Sequence, residues 1–413
     1  MSSRFAALKG VEDILPPDSY LRQFIEDKAR SVFGSYGFGE IKTPIIEHTD
    51  LFLRSIGETS DIVSKEMYTF TDKGGRSITL RPEGTASVVR AYVEHSLAMR
   101  PSPQKFYYMG PMFRYERPQK GRQRQFYQIG VEAFGVAEAR MDAEVILMLM
   151  LHLDRIGLED LSLELNSIGC GECRPAFKEA LRDFFAPKLP ELCPDCQRRF
   201  ETNPLRILDC KVERCIEIRK DAPLVTDYLC GNCRSHFDSL LKLLGVMGVK
   251  YTLNPHMVRG LDYYTRTTFE VTTENLGAQK AVAAGGRYDG LVEEFGGPAT
   301  PAIGFAMGVE RLAALLKDKA APPITDFFVA SLGEEAATQA LKLASGLRAE
   351  GIRGELGYGG SLKSQLRKAG KLGARFAIII GEDELKSGLL KWKDLKKGES
   401  GEVPLAGARK LFA

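Results

Sequence analysis

Between Lys105 and Phe134 the chain sets two β-favouring runs, Lys105–Met109 (KFYYM) and Gln125–Phe134 (QFYQIGVEAF), on either side of a charged loop. Pro and Gly in the loop predict two strands joined by a long connection. The stretch Gly110–Phe126 (GPMFRYERPQKGRQRQF) carries Arg114, Arg117, Lys120, Arg122 and Arg124 against a single acid, Glu116. Cations this dense repel one another, so they belong around an anion, and guanidinium forks match the oxygens of a polyphosphate. A solvated hairpin tip, or a patch for a nucleic-acid backbone, accounts for the same charges. The second run constrains the fold further, because strand residues alternate between faces. Tyr127, Ile129, Val131 and Ala133 form a core face. Phe126, Gln128, Gly130, Glu132 and Phe134 form the other, where a Gln and a Glu are costly to bury unless partnered. The glycine between them predicts room for something that is not protein, so this face is a candidate pocket.

A length of 413 residues allows about two or three domains and a sizeable core. Hydrophobic content of 44% and charged content of 27% fit a soluble globular protein. The net charge is only +3, so any nucleic-acid contact must come from local patches. No apolar run approaches the ~20 residues of a membrane span. The N-terminus lacks an apolar targeting core, and Glu12 and Asp13 argue against a transit peptide. A cytoplasmic protein is expected.

Elsewhere, Asp18 is a candidate N-cap for a helix with Leu21, Phe24, Ile25, Ala29, Val32 and Phe33 at helical spacing, ending in the region Gly34–Gly39. Glu40–Ile46 reads as a strand whose Pro44 confines it to an edge or an interface. Met67–Phe70 and Ser77–Leu80 flank a turn. Glu83, Gly84 and Thr85 then open a helix through His95. The acid and hydroxyl there can satisfy the helix's own amides or be offered to a cationic ligand. His152, on a near-continuously apolar helix over 141–156, is a core or edge histidine. Arg259 beside Gly260 can approach an anion closely. Gly285, Gly286 and Arg287 are expected on a small-residue turn. The small residues of Ala302–Gly308 make a flat strand on which a planar ring can lie. Arg311, in the first turn of the following helix, is ill-placed for the macrodipole and so must serve something else.

All eight cysteines fall between Cys170 and Cys233, three pairs of them as CxxC. In a cytoplasmic protein such clustering favours metal over disulfides, and zinc in particular. The spacing suggests Cys193–Cys196 with Cys230–Cys233 as one site, and Cys170–Cys173 with Cys210 and Cys215 as another. Reduced, half-buried thiols are the alternative. From about residue 325 strands and helices alternate, predicting a small α/β domain. Lys363, Arg367, Lys368, Lys371, Arg375, Lys391, Lys393, Lys396 and Lys397 make it basic: a solvated surface or a phosphate-backbone binder. Residues 317–325 (KDKAAPPIT) read as a linker before it.

No GxxxxGK[ST] phosphate loop is present. Gly37–Glu47, with Pro44, instead resembles motif 1 of the class II aminoacyl-tRNA synthetases. Phe113–Phe126 resembles motif 2, its F-R-x-E core at Phe113–Glu116, and Gly304–Leu312 (GFAMGVERL) resembles motif 3. MVRGLDYY at Met257–Tyr264 and AGGRYDGL at Ala284–Leu291 are similar to the two signatures of the histidyl-tRNA synthetases, with Met257 in place of Leu. The resemblance runs nearly the length of the chain. It implies an α+β catalytic domain over 1–322 with an antiparallel sheet, a cysteine-rich and mostly helical insertion at about 170–240, and a C-terminal α/β anticodon-binding domain over 325–413. It implies a homodimer built through motif 1. The implied reaction is ATP- and Mg²⁺-dependent activation of L-histidine, then transfer to the 3′ end of tRNA(His) with release of AMP and pyrophosphate.

By the same resemblance, Arg114 and Arg259 are catalytic, flanking the histidine carboxylate and the α-phosphate. Arg311 holds the γ-phosphate, Glu116 contacts adenine and Arg122 belongs to the ATP site. Glu83, Thr85 and Gln128 hold the α-amino group, with Gly84 and Tyr263 completing the histidine pocket. Glu132 and Tyr264 grip the imidazole nitrogens, and an acid and a phenol can satisfy both. Zinc is not implied, because the cysteine-rich insertion departs from many relatives. Regulatory paralogues that bind histidine without this activity typically lack the C-terminal domain and lose motif residues, and this chain keeps both. A plain RNA-binding protein leaves the paired acids and Arg259 unexplained.

Overall fold

The computed structural model describes residues 5–57, 60, 62–119, 121–277, 280–316 and 325–412. Lys120 of the basic loop and residues 317–324 of the expected linker lie outside them. Contacts divide the chain into two units, Met1–Ala320 and Ala321–Ala413.

In the first unit, helix α1 (Asp18–Ser35) buries Leu21, Ile25, Ala29, Val32 and Phe33 along one stripe and leaves Phe24 exposed. Pro17 takes the N-cap position and Asp18 is the first helical residue, where its charge still complements the helix dipole. The strand expected over Glu40–Ile46 is broken into β1 (Gly39–Glu40) and β2 (Ile46–His48). Pro44, which offers no N–H to a ladder, lies in the break. Helix α2 (Thr49–Ile56) leads to the hairpin of β3 (Tyr68–Thr71) and β4 (Ser77–Leu80). Its turn is closed by Asp72, whose Oδ1 accepts the Gly74 and Arg76 amides at 2.9 Å. Helix α3 (Thr85–Glu94) follows. Strands β5 (Gln104–Phe113) and β6 (Gln125–Phe134) form the long antiparallel pair read from sequence. Gly110–Phe113 belongs to β5, so the charged loop proper is 114–124.

Helix α4 (Ala139–Arg155) and β7 (Ser162–Ser167) precede the insertion, whose main elements are α5 (Arg174–Phe185), α6 (Pro194–Thr202), α7 (Glu213–Arg219) and α8 (Gly231–Val246). The chain returns through β8 (Thr252–Leu253), β9 (Thr265–Thr272), β10 (Ala281–Arg287), α9 (Leu291–Glu294), β11 (Ala302–Gly308) and α10 (Val309–Leu316).

Eight of these strands form one sheet in the order β1-β5-β6-β11-β10-β9-β7-β8, antiparallel except for the short edge pairs β1–β5 and β7–β8. Helices α1, α4, α8 and α10 cover one face. Ile129 and Val131 of β6, Leu163 and Leu165 of β7, Phe269 and Val271 of β9 and Ile303 of β11 point into that core. His152 of α4 is fully buried there, 5.6 Å from the Phe33 ring, and burial drives its pKa down to about 4. It is a core histidine.

Gly285, Gly286 and Arg287 do not form a turn. They lie within β10, paired on both sides, and a side chain at Gly285 would run into the Gly304 carbonyl and the Phe269 ring. The glycines allow close packing in the middle of a sheet.

The second unit contains β12 (Phe327–Ser331), α11 (Glu334–Ala349), β13 (Gly354–Leu356), α12 (Leu362–Lys371), β14 (Phe376–Ile380), α13 (Glu382–Ser387), β15 (Leu389–Asp394) and β16 (Ser400–Pro404). Their sheet order is β13-β12-β14-β15-β16, parallel through β14 and antiparallel beyond it. Helix α13 is too short to show a period, and β16 contains Gly and Pro that only an edge strand tolerates, so neither is legible from sequence. Among the described residues no helix is long and apolar enough to cross a membrane.

Candidate active site

The uncovered face of the large sheet is floored by small residues. Register places Glu132 beside Gly304, Gly304 beside Gly286, and Gly286 beside Thr268. The neighbouring row runs Gly130, Ala306, Ala284 and Glu270. Above this floor lies a cavity of about 810 Å³. The missing side chains have definite uses. A Cβ at Gly304 would strike the Glu132 carboxylate, and one at Gly286 would meet the Tyr264 ring. The two glycines therefore let Glu132 and Tyr264 lie over the floor. The space beside Gly130 is different from what its sequence context predicts. It is filled by the ring of Tyr108, which also occupies the space left by Gly84.

Glu132 is 1% exposed. Its Oε1 accepts from the Thr85 hydroxyl at 2.7 Å and its Oε2 from the Tyr288 hydroxyl. Burial pushes its pKa up to about 8. Tyr263 and Tyr264, whose ring centroids are 4.7 Å apart, close the same end, and burial raises both phenols above their ordinary range. Glu83 does what a helix start requires: Oε2 accepts the Thr85 amide at 2.6 Å and Oε1 the Ala86 amide at 2.8 Å. It nevertheless lines the cavity, so capping and ligand contact are compatible. Gln128 also lines it, and its Oε1 is buried with no hydrogen-bond partner among the described residues. Gly84 does not line the cavity.

Three segments supply the arginines singled out from the sequence. Arg259 reaches in from the loop before β9 with Nη1 3.3 Å from Glu270 Oε1, while its buried Nε has no partner among the described residues. Burial alone would lower its pKa, but Glu270, Tyr264 and Asp209 hold it above the usual value. Arg114, just past β5, donates from Nε to the Pro82 carbonyl at 2.9 Å and lies 5.3 Å from the Phe126 ring centre. Arg311 donates from Nη1 to the Ala281 carbonyl at 2.7 Å. Burial, and then the nearby Arg122, lower its pKa. Arg122 Nε is 2.9 Å from Glu116 Oε2.

The loop cations thus divide. Arg122 lines the cavity and Arg117 is exposed. Arg124 does not line it. Its guanidinium lies 3.9 Å over the Tyr115 ring and its amide donates to the Gly10 carbonyl at 2.7 Å, which fastens the N-terminal arm to the loop. Arg287 is fully buried in an ion pair with Asp142. Sequence reasoning missed Asp209, Lys211 and Arg219, which line the cavity from the insertion. They belong to no periodic pattern, and only the folding of the insertion brings them there. It also missed Glu270 of β9, two strands from β11, although alternation along β9 places it on the site face.

The cysteines form two quartets, but not the expected ones. Cys170, Cys173, Cys230 and Cys233 meet at the root of the insertion, and Cys193, Cys196, Cys210 and Cys215 meet inside it. The reason is topological: the insertion leaves and re-enters the sheet at neighbouring strands, so its first and last pairs must be close.

Comparison with known proteins follows the same outline. A family model described as "Histidyl-tRNA synthetase" matches residues 10–172 and 211–312, and one described as "Anticodon binding domain" matches 326–413. A protein of Thermodesulfovibrio yellowstonii called histidine–tRNA ligase is 55% identical over 405 residues, covering 97% of this chain and 96% of its own. One of the same name from Geobacter sulfurreducens is 55% identical over 399 residues, covering 96% and 97%. The crystal structure of apo histidyl-tRNA synthetase from S. aureus matches at a TM-score of 0.83 and 39% identity, over 99% of each chain.

Proposed function

The chain belongs to the histidyl-tRNA synthetase family and acts as a histidine–tRNA ligase, and we propose that the cavity above the small-residue floor is where L-histidine meets ATP. The observation that carries this reading is convergence. Arg114, Arg259 and Arg311 come from three separate segments to one cavity that also presents Gln128, Glu132 and Tyr264.

In the first step a histidine carboxylate oxygen bonds to the α-phosphorus as the bond to pyrophosphate breaks. Two anions must approach, so the protein's contribution is alignment and charge neutralisation. Arg259 and Arg114 would flank the reacting carboxylate and phosphate. Arg311 would hold the γ-phosphate, with Arg122 nearby on the polyphosphate side and Glu116 at the adenine. Mg²⁺ would arrive with ATP and neutralise its tail. Oxygen ligands suit it, and the cavity carboxylate Glu270 would hold it. In the second step a tRNA 3′-terminal hydroxyl attacks the acyl carbonyl and AMP leaves. Gln128 Oε1, with Glu83 and Thr85, would take the α-amino group. Glu132 and Tyr264 would take the imidazole, with Tyr263 behind them. The proposal includes action in the cytoplasm, where tRNA is charged. It also includes a homodimer formed through Gly37–Glu47, where Ile45 and the adjoining Ile46 are 42% and 51% exposed.

ATP–pyrophosphate exchange across the standard amino acids tests the assignment: histidine alone should support it. Exchange with none of them would favour a histidine-binding regulatory protein.

Glu132 supplies a pH signature. An ionised carboxylate accepts an imidazole N–H, so histidine binding should tighten as pH rises toward about 8 and level off above it. Calorimetric titration from mildly acidic to alkaline pH measures this, and Glu132→Gln should weaken binding and flatten the profile. Stability runs the other way. An unfolded carboxyl ionises near 4.5, whereas Glu132 keeps its proton to about 8, so this group's contribution to unliganded stability declines between those values and no further above them.

The second unit would bind the anticodon. All nine of its singled-out cations, Lys363 to Lys397, are exposed. Arg367→Glu with Lys368→Glu on α12 should raise the KM for tRNA and reduce its salt dependence while leaving ATP–pyrophosphate exchange unchanged. A matching loss of exchange would show that these residues act elsewhere.

A further inference from the structure

We propose that the two cysteine quartets are tetrahedral zinc–thiolate sites that hold the insertion in its folded form, one at its root and one in its interior. In each quartet the four sulfurs lie within 4.8 Å of one another. Cys170 Sγ is 3.8 Å from Cys173 Sγ and 3.9 Å from Cys230 Sγ, and Cys193 Sγ is 3.8 Å from Cys210 Sγ. Four thiolates at about 2.3 Å from a central zinc ion stand about 3.8 Å apart along the edges of the tetrahedron. A disulfide needs about 2.05 Å, and all eight cysteines are free.

The surroundings suit thiolates. Cys173, Cys193 and Cys230 occupy the N-cap positions of α5, α6 and α8, so helix dipoles favour negative sulfur there. Backbone amides also point at sulfur: Cys230 N–H to Cys173 Sγ at 3.1 Å, Cys193 N–H to Cys215 Sγ at 3.3 Å and Val212 N–H to Cys210 Sγ at 3.5 Å. Such contacts orient ligands around a metal.

Each site has a structural task. The root quartet joins chain segments 60 residues apart, Cys170 to Cys230. Arg174, next to Cys173, donates to the Tyr264 carbonyl, and Gly169, next to Cys170, accepts the Arg266 amide at 2.8 Å. The root is thereby fastened to the segment that carries Tyr264. The interior quartet lies in a small apolar cluster with Phe177, Leu181 and Phe185. Its Cys210 lies between Asp209 and Lys211, both of which line the cavity. A module with so small a core gains most from a metal staple.

The test begins with elemental analysis of full-length protein purified without added metal: about two zinc ions per chain are expected. Cys193→Ser/Cys196→Ser and Cys230→Ser/Cys233→Ser should each lower the count to about one. Should either variant fail to fold, titration of the wild type with an organomercurial keeps the question open to measurement, since zinc should leave in proportion to thiols blocked. Cobalt substitution should give the visible bands of a tetrahedral thiolate site. Thermal unfolding of zinc-stripped protein should begin at a lower temperature, and added zinc should reverse this. Eight freely reactive thiols without metal, iron with acid-labile sulfide, or an unchanged Tm after stripping would each overturn the proposal.

Discussion

Arg259→Ala is expected to lower histidine-dependent ATP–pyrophosphate exchange by about 10²–10³-fold while leaving histidine binding measurable. The carboxylate of histidine and the α-phosphate of ATP repel as they approach, and the barrier is largely that repulsion plus misalignment. A guanidinium fixed beforehand beside the reacting atoms offsets it without reorganising. Arg259 has the features of such a group. Glu270 anchors one nitrogen at 3.3 Å, and Nε is buried at the cavity without a partner among the described residues. Removing the arginine also strips Glu270 of its counter-charge, leaving a carboxylate that opposes the incoming anions. Arg259→Lys should recover part of the rate, because it restores the charge but not the planar fork. The fold should tolerate both changes, since the contact of Arg206 Nη1 is to the Arg259 carbonyl, at 3.1 Å, and not to its side chain. Exchange at saturating histidine with calorimetric histidine binding separates the effects. Near-normal exchange in Arg259→Ala would remove this residue from the reaction.

The parts of the site that could be read from sequence are those set by a local period or motif. Alternation along β6 sends Val131 to the core and Glu132 to the cavity, and no distant residue can change that parity. The helix after Glu83 shows its start in its capping chemistry. What could not be read depends on neighbours that come from far along the chain. Gly130 is small because Tyr108, on the adjacent strand, needs its space. Arg124 resembles Arg122 in sequence, yet Gly10 and Tyr115 draw it away from the cavity. The pairing of the cysteines follows from where the insertion leaves the sheet, which spacing alone does not encode.

Arg287 is the sharpest instance, and it yields the largest expected effect on stability. Replacing it with Met should cost about 3–5 kcal/mol, measured by urea denaturation. Its side chain is 0% exposed and sends Nη2 to Asp142 Oδ2 at 2.6 Å and Nε to the same oxygen at 2.8 Å. The remaining donors go to Asp289 Oδ1 at 3.1 Å and the Val136 carbonyl at 3.0 Å. Burial alone would raise the pKa of Asp142, yet His236 and Arg287 hold it below the ordinary value, so its charge persists inside the protein. The cost of Arg287→Met comes mainly from the carboxylate left behind, not from the loss of the contact itself. Arg287→Met combined with Asp142→Leu should therefore be less destabilised than Arg287→Met alone. If the double variant were instead as weak as the two single losses added together, the partners would be acting separately. Because Arg287 ends β10, next to the glycine that makes room for Tyr264, the single variant should also weaken histidine binding at temperatures where it remains folded.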